Sequence, residues 1–171
     1  LPSIVRVARP AVIAAAALLA ASLTGCGAIG DLLSGPAQPE RDETTQEIVE
    51  SADADVFALR VGDCLNMIAA DEVETVPVVP CGEPHSDEVF HEFQIPDGEY
   101  PGDDAVIAAA EESCLAAFEP FIGLPFEQST LDVSWYVPTQ QSWEGMDDRT
   151  VSCMVSDPAG EVTGTLKDAQ Y

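Results

Sequence analysis

Cationic side chains are nearly absent from this sequence: its 171 residues hold 6 Lys and Arg against 31 Asp and Glu, a formal net charge of −25. That excludes nucleic acid as a natural partner, because such a field repels phosphates and anionic headgroups. It draws in cations and basic protein surfaces over about 8 Å at physiological salt, and it also favours solubility. The signatures of common catalytic machinery are missing too. Neither GxSxG nor HExxH occurs, so neither a nucleophile elbow nor a zincin helix is encoded. No two cysteines stand as CxxC, which argues against a four-cysteine metal site. A calcium loop of the D-x-D-x-D-G type is also lacking, and the acidic pairs read as solvated faces. Finally, the apolar run Ala11 to Leu23 is shorter than the about 20 residues that cross a bilayer.

That short run is informative for how it begins and ends. Arg6 and Arg9 precede it as a positive n-region, and it closes on Leu23-Thr24-Gly25-Cys26. The tetrapeptide resembles the lipobox of bacterial lipoproteins. The resemblance implies a signal peptide over residues 1–25, cleavage before Cys26 and lipidation of its thiol. The expected location is then the outer face of the cytoplasmic membrane, held by a lipid anchor. Beyond Cys26 all 31 acidic residues remain, but only Arg41, Arg60, Arg149 and Lys167 are basic. From Gly27 to Asp55 the chain is rich in Gly, Pro, Ala, Gln and acid, with no sustained apolar period. Residues 26–55 therefore read as an acidic flexible tether, with a helical turn allowed over Gln46 to Glu50.

Residues 56–171 read as one globular domain, of a size that supports a single core. Strand signals fall at Phe57–Val61, Val73–Val79 and Val89–Ile95, then at Val133–Val137, Thr150–Ser156 and Val162–Leu166. In the third of these, Val89, His91, Phe93 and Ile95 share one parity, with Phe90 as the exception on the polar face. Asp103 stands where it can cap a helix whose apolar positions Val106, Ile107, Ala110, Cys114, Ala117 and Phe118 recur at three and four, with Pro120 ending or kinking it. The expected fold class is α+β: a small, mostly antiparallel sheet of about five strands with one principal helix packed on it.

Four cysteines remain for this domain: Cys64, Cys81, Cys114 and Cys153. An even number in an exported domain points to two disulfides, and spacing alone leaves three pairings open. Local context favours Cys64–Cys81, between neighbouring strands, and Cys114–Cys153, between helix and sheet.

Gly62-Asp63-Cys64-Leu65, then Val79-Pro80-Cys81-Gly82-Glu83-Pro84-His85 with Glu88-Val89-Phe90, then Tyr100-Pro101-Gly102, a helix cysteine, Pro138, Trp143, and Arg149 ahead of Cys153 follow one another at characteristic distances. In this pattern, over residues 56 to 168, the chain is similar to the septum-formation family of actinobacterial envelope lipoproteins. The resemblance implies a place in septum formation or cell-envelope growth, and it implies no reaction. Where the family pattern places Gly-Asp-Arg after the tryptophan, this chain has Gly145-Met146-Asp147-Asp148-Arg149, a longer loop that need not present Arg149 in the same way.

Three residues stand out as candidate ligand or partner contacts. Trp143 lies in a polar loop from Thr139 to Asp148, where an exposed indole stacks on a sugar or anchors a protein contact; packing over the sheet edge is its structural alternative. Arg149 is conspicuous because cations are so scarce, and Asp147 or Asp148 is its expected partner. His85 sits in a Pro-His turn near Asp87, Glu88 and His91. Those donors raise a divalent cation as one reading, against a histidine that fixes the turn. No catalytic residue, cofactor or metal ligand is assigned. The expected function is a non-catalytic binding or scaffolding module that meets an envelope protein or a cell-wall polymer. The alternative is a wall-glycan-binding or divalent-cation-binding domain.

Overall fold

The computed structural model describes residues 38–70 and 72–171. The signal peptide, Cys26 and the tether as far as residue 37 lie outside the described residues. Among the described residues no helix is long and apolar enough to cross a membrane.

Among the described residues six strands form one antiparallel sheet: β1 (Ala52–Asp55), β2 (Cys64–Leu65), β3 (Thr75–Val79), β4 (Asp87–Gln94), β5 (Asp132–Tyr136) and β6 (Thr150–Ser156). Their order across the sheet is β1-β3-β2-β4-β6-β5. Two helices accompany them, α1 (Asp103–Ile122) and the short α2 (Gln140–Gly145). The α+β expectation holds, with six strands rather than about five. β4 and β6 form the long central ladder, from Asp87 opposite Ser156 to Gln94 opposite Thr150.

On one face of the sheet lies α1. Its buried residues Val106, Ala110, Cys114, Phe118 and Ile122 recur every four positions, a narrow stripe that meets Phe90, Val151, Cys153 and Val155. Ile107, expected on that stripe, is 44% exposed. The helix begins after Gly102, which gives no side-chain cap. Asp103 is thus the first helical residue and not the cap, and its carboxylate accepts the Tyr100 hydroxyl at 2.5 Å. Pro120 lies inside the last turn, and the helix runs on to Ile122 before Gly123 closes it in the left-handed conformation, φ 81°. There the missing N–H removes one bond close to the helix end, which the Gly123 N–H closes on the Glu119 carbonyl. Cys114–Cys153 ties α1 to β6, and Cys64–Cys81 joins β2 to the end of β3.

The opposite face carries a second core of Ile48, Ala54, Leu59, Leu65, Val76, Val78, Val89 and Met154. The β4 register shifts between Val89 and His91, and this bulge breaks the expected parity. Val89 packs into the second core, while Phe90 and Phe93 join the first. His91 reaches Ser113 of α1 at 3.2 Å.

Residues 38–55 are not tether. Arg41 and Ile48 form an antiparallel bridge around a turn in which the Asp42 carboxylate accepts the Thr44 and Thr45 amides, each at 2.8 Å. No helical turn forms at Gln46 to Glu50; Gln46 instead takes a positive φ of 65°. Ile48 seals the second core, and Ala52–Asp55 pairs with β3 as an edge strand. The expected strand Phe57–Val61 is displaced by a 3-10 turn at Val56–Ala58, because the Asp55 carboxylate captures the Phe57 amide at 2.8 Å. The expected last strand, Val162–Leu166, is a strap with one bridge, Val162 to His85.

Candidate functional site

Gly62-Asp63 precedes Cys64 in a turn that needs glycine, since Gly62 has φ 95°. Asp63 is buried. It accepts the Arg60 amide at 2.8 Å and receives both ends of the Arg41 guanidinium, at 2.5 and 2.7 Å. Arg41 also donates to the Ala58 carbonyl, and its bond to Asp63 holds its pKa above the usual arginine value. One of the few cations in the chain is thus spent on a buried bidentate pair that fastens residues 41–48 to the sheet.

Trp143 is buried, 4% exposed, so of its two readings the open contact fails and packing is the one found. A capping box makes α2 out of the expected loop: the Thr139 hydroxyl accepts the Ser142 amide at 3.1 Å and the Ser142 hydroxyl accepts the Thr139 amide at 3.0 Å. The helix turns the indole inward, where Nε1 donates to the Gly98 carbonyl at 3.0 Å and the ring meets Tyr100 edge-on, with centroids 5.6 Å apart. The Arg149 guanidinium lies 3.8 Å above the indole centroid and donates to the Trp143 and Asp148 carbonyls at 3.1 and 2.7 Å. Of the two expected carboxylates Arg149 pairs with Asp147, at 3.0 Å. Asp97, from the turn after β4, adds a second contact 3.3 Å from Nε, within ion-pair range but not aligned as a hydrogen bond. Both carboxylates are 89% exposed, so water screens these pairs and cation–π packing is the larger contribution. Trp143 and Arg149 form a clamp between α2 and the turn after β4.

His85 is fully buried. Its Nδ1 lies 2.8 Å from the Glu83 carbonyl, which only accepts, so Nδ1 carries the proton. Its backbone pairs with Val162 in both directions. Glu88, also buried, accepts the Thr165 hydroxyl and the Leu166 amide, each at 2.6 Å. Burial pushes the Glu88 carboxyl above the ordinary glutamate range, against those two bonds. Together His85 and Glu88 latch the C-terminal strap. Asp87 turns instead to the Ser86 hydroxyl and His91 to Ser113, so the donors around His85 point to separate partners. Among the described residues no three His, Cys, Asp or Glu side chains converge as a metal site.

A concave feature lies elsewhere, on the sheet face away from α1. Val151, Cys153 and Val155 of β6 face the helix core, so Ser152 faces the other way, opposite Glu92 of β4. A groove of about 250 Å³ is lined there by Glu92, Ser152 and Thr150, by Tyr136 at the end of β5, by Glu72, Val73 and Glu74 ahead of β3, by Phe57, and by Met146 and Asp148 after α2. The Tyr136 hydroxyl is held against Ile68, donating to its carbonyl at 3.1 Å and accepting its amide at 3.0 Å, so the connection between β2 and β3 reaches across to β5. Phe57 and Met146 stand on the groove 53% and 62% exposed. The Asp55 cap turns Phe57 outward. The longer loop after Trp143 projects Met146, with Asp147 in the left-handed region at φ 57°.

Glu92 accepts the Ser152 hydroxyl at 3.2 Å. Desolvation pushes its carboxyl up, the nearby Asp63 charge adds to that, and the Ser152 hydroxyl, the Val61 amide and Arg60 only partly oppose it. Among the described residues no Lys or Arg lines the groove itself, while Arg149 lines an adjoining hollow that shares Phe57, Met146, Asp148 and Thr150 with it. Sequence reasoning missed this site because its parts come from separate segments. The one signal was Glu92 on the polar parity of a strand whose other parity is apolar.

A family model for septum formation matches residues 26–153, a span that contains every residue named on the groove and stops short of the strap. Two relatives, each named "Putative lipoprotein LppN", one from Mycobacterium tuberculosis and one from Mycobacterium bovis, are each 28% identical over 166 residues, covering 89% of this chain and 92% of the relative. No solved structure matches significantly. On the extent of the family match, the chain belongs to the septum formation family.

Proposed function

We propose that this protein is a lipoprotein anchored through Cys26 to the outer face of the cytoplasmic membrane, and that its domain is a non-catalytic binding module acting in septum formation or cell-envelope growth. The lipobox-like Leu23-Thr24-Gly25-Cys26 and the name shared by the mycobacterial relatives support the anchor. The observation that carries the binding reading is the groove, with Phe57 and Met146 exposed beside a half-buried carboxylate. Large apolar side chains left open at a preformed concavity are the usual anchors of a protein contact. Three features favour leaving catalysis out. The four described cysteines are in disulfides, His85 is sealed from solvent with its Nδ1 held by the Glu83 carbonyl, and Glu92 has a hydroxyl rather than a second acid as its partner. An envelope protein is preferred over a wall glycan because Trp143, the expected sugar platform, is buried.

Two experiments test this. Cys26→Ala should move the protein from the membrane to the soluble extracytoplasmic fraction; unchanged membrane retention would overturn the anchor. A photo-crosslinker at position 57, compared with one at exposed Ile107 on α1, should capture in cells one envelope protein that then binds the purified chain saturably. Equal capture at both positions, or glycan alone at position 57, would overturn the protein-binding reading.

A further inference from the structure

We infer that the groove receives an extended polypeptide segment that places an arginine or lysine side chain on Glu92 and a neighbouring apolar side chain against Phe57 or Met146. This rests on the binding-module reading and names the partner's chemistry. Size comes first. At about 250 Å³ the groove suits one long side chain with its flanking backbone, and it lies beside a second hollow of about 420 Å³ that shares Phe57, Met146, Asp148 and Thr150, so a segment has room to run on. Charge comes next. The lining holds Glu72, Glu74, Glu92 and Asp148 and no cationic side chain. Asp148 is already engaged, accepting the Ser142 hydroxyl at 2.9 Å and the Thr150 amide at 3.0 Å. Glu92 has only neutral hydrogen-bond donors, Ser152 and the Val61 amide. A guanidinium meets such a carboxylate with two parallel bonds while its methylenes lie along apolar walls.

A second copy of this chain is a poor occupant. Arg41 is locked to Asp63 and Arg149 lies over Trp143, which leaves only Arg60 and Lys167 as exposed cations among the described residues, and two surfaces that carry this excess of acid repel each other. The partner is therefore a different chain and a basic one. The Glu92 carboxylate is also desolvated with no cation bonded to it in the folded chain, Arg60 acting on it only at a distance, a cost that a directly bound cation would offset.

The test uses the full lipidated chain in detergent and two acetylated pentapeptide amides, Gly-Leu-Arg-Leu-Gly and Gly-Leu-Gln-Leu-Gly, titrated by calorimetry. The arginine peptide should bind about 10-fold tighter or more, the range of a charge-assisted pair. Glu92→Gln should abolish that preference, while Glu111→Gln on exposed α1 leaves it intact. Phe57→Ser should weaken both peptides alike. Equal loss of preference in Glu92→Gln and Glu111→Gln would overturn the inference, since the general acidic field would then explain binding. So would equal binding of the two peptides, or binding of neither. In those cases crosslinking from position 57 reports independently whether the groove still contacts an envelope protein.

Discussion

The two faces of the sheet are built on different terms. Against α1, the side chains are apolar, interlocked and covalently tied: Phe118 meets Phe90 and Phe126 edge-on at centroid distances of 6.2 and 5.2 Å, and Cys114–Cys153 crosses the layers. On the other face the β1-β3-β2 side is equally dry around Val76, Val78 and Leu65, but toward β6 the same surface becomes the polar floor of the groove, Glu92, Ser152 and Thr150. A single strand, β6, serves both. Its odd residues build the core and its even residue Ser152 floors the groove. The contrast separates stability from recognition: one face is optimised for burial, and the other retains a desolvated carboxylate that weakens the fold.

Breaking the first face should cost most. Phe118→Ala leaves a cavity under α1 and should lower stability by about 3–5 kcal/mol, read from urea unfolding. Replacing Cys114 and Cys153 by alanine frees a long loop in the unfolded chain and should cost about 4 kcal/mol in the chain-entropy model. A loss near zero would show that the helix needs no tie. The clamp between α2 and the turn after β4 is intermediate. Arg149→Ala removes the cation over Trp143 and two carbonyl contacts and should lower stability by about 1–2 kcal/mol.

Acid should act in the opposite sense, through Glu92 of the groove and Glu88 under the C-terminal strap. Burial raises the carboxyls of Glu88 and Glu92 in the folded chain, so their contribution is fully present below the unfolded glutamate value of about 4.3 and is lost as pH rises through the folded values. The thermal midpoint should therefore climb as pH falls from 7 toward 5, helped by reduced self-repulsion among carboxylates. A midpoint that falls over this range would place the net pKa shift in the other direction. The smallest stability effect belongs to Phe57→Ser, within about 0.5 kcal/mol, because the ring is already half in water; its effect should appear in partner binding alone.

How far the sequence discloses this depends on where each signal lives. Helix α1, β6 and both disulfide pairings are legible because their periodicity and cysteine contexts are local. β1 is not, since Ala52-Asp53-Ala54-Asp55 has weak strand propensity, and only pairing with β3 and the burial of Ala54 make it a strand. Arg41 looks like tether until its buried partner Asp63 is seen 22 residues away. Trp143 reads as exposed because its neighbours are polar, yet the Thr139–Ser142 capping box rotates it inward. The groove is least legible of all: Phe57, Glu92, Tyr136, Met146 and Ser152 are apposed by the sheet, and no short-range pattern links them.

The most direct test of the division between the two faces is the thermal midpoint of Glu92→Gln at pH 7, against the unsubstituted chain. If the carboxylate is kept for a cationic partner at the expense of the fold, the midpoint rises. A lower midpoint would make Glu92 a structural support and would contradict the separation of recognition from stability drawn above.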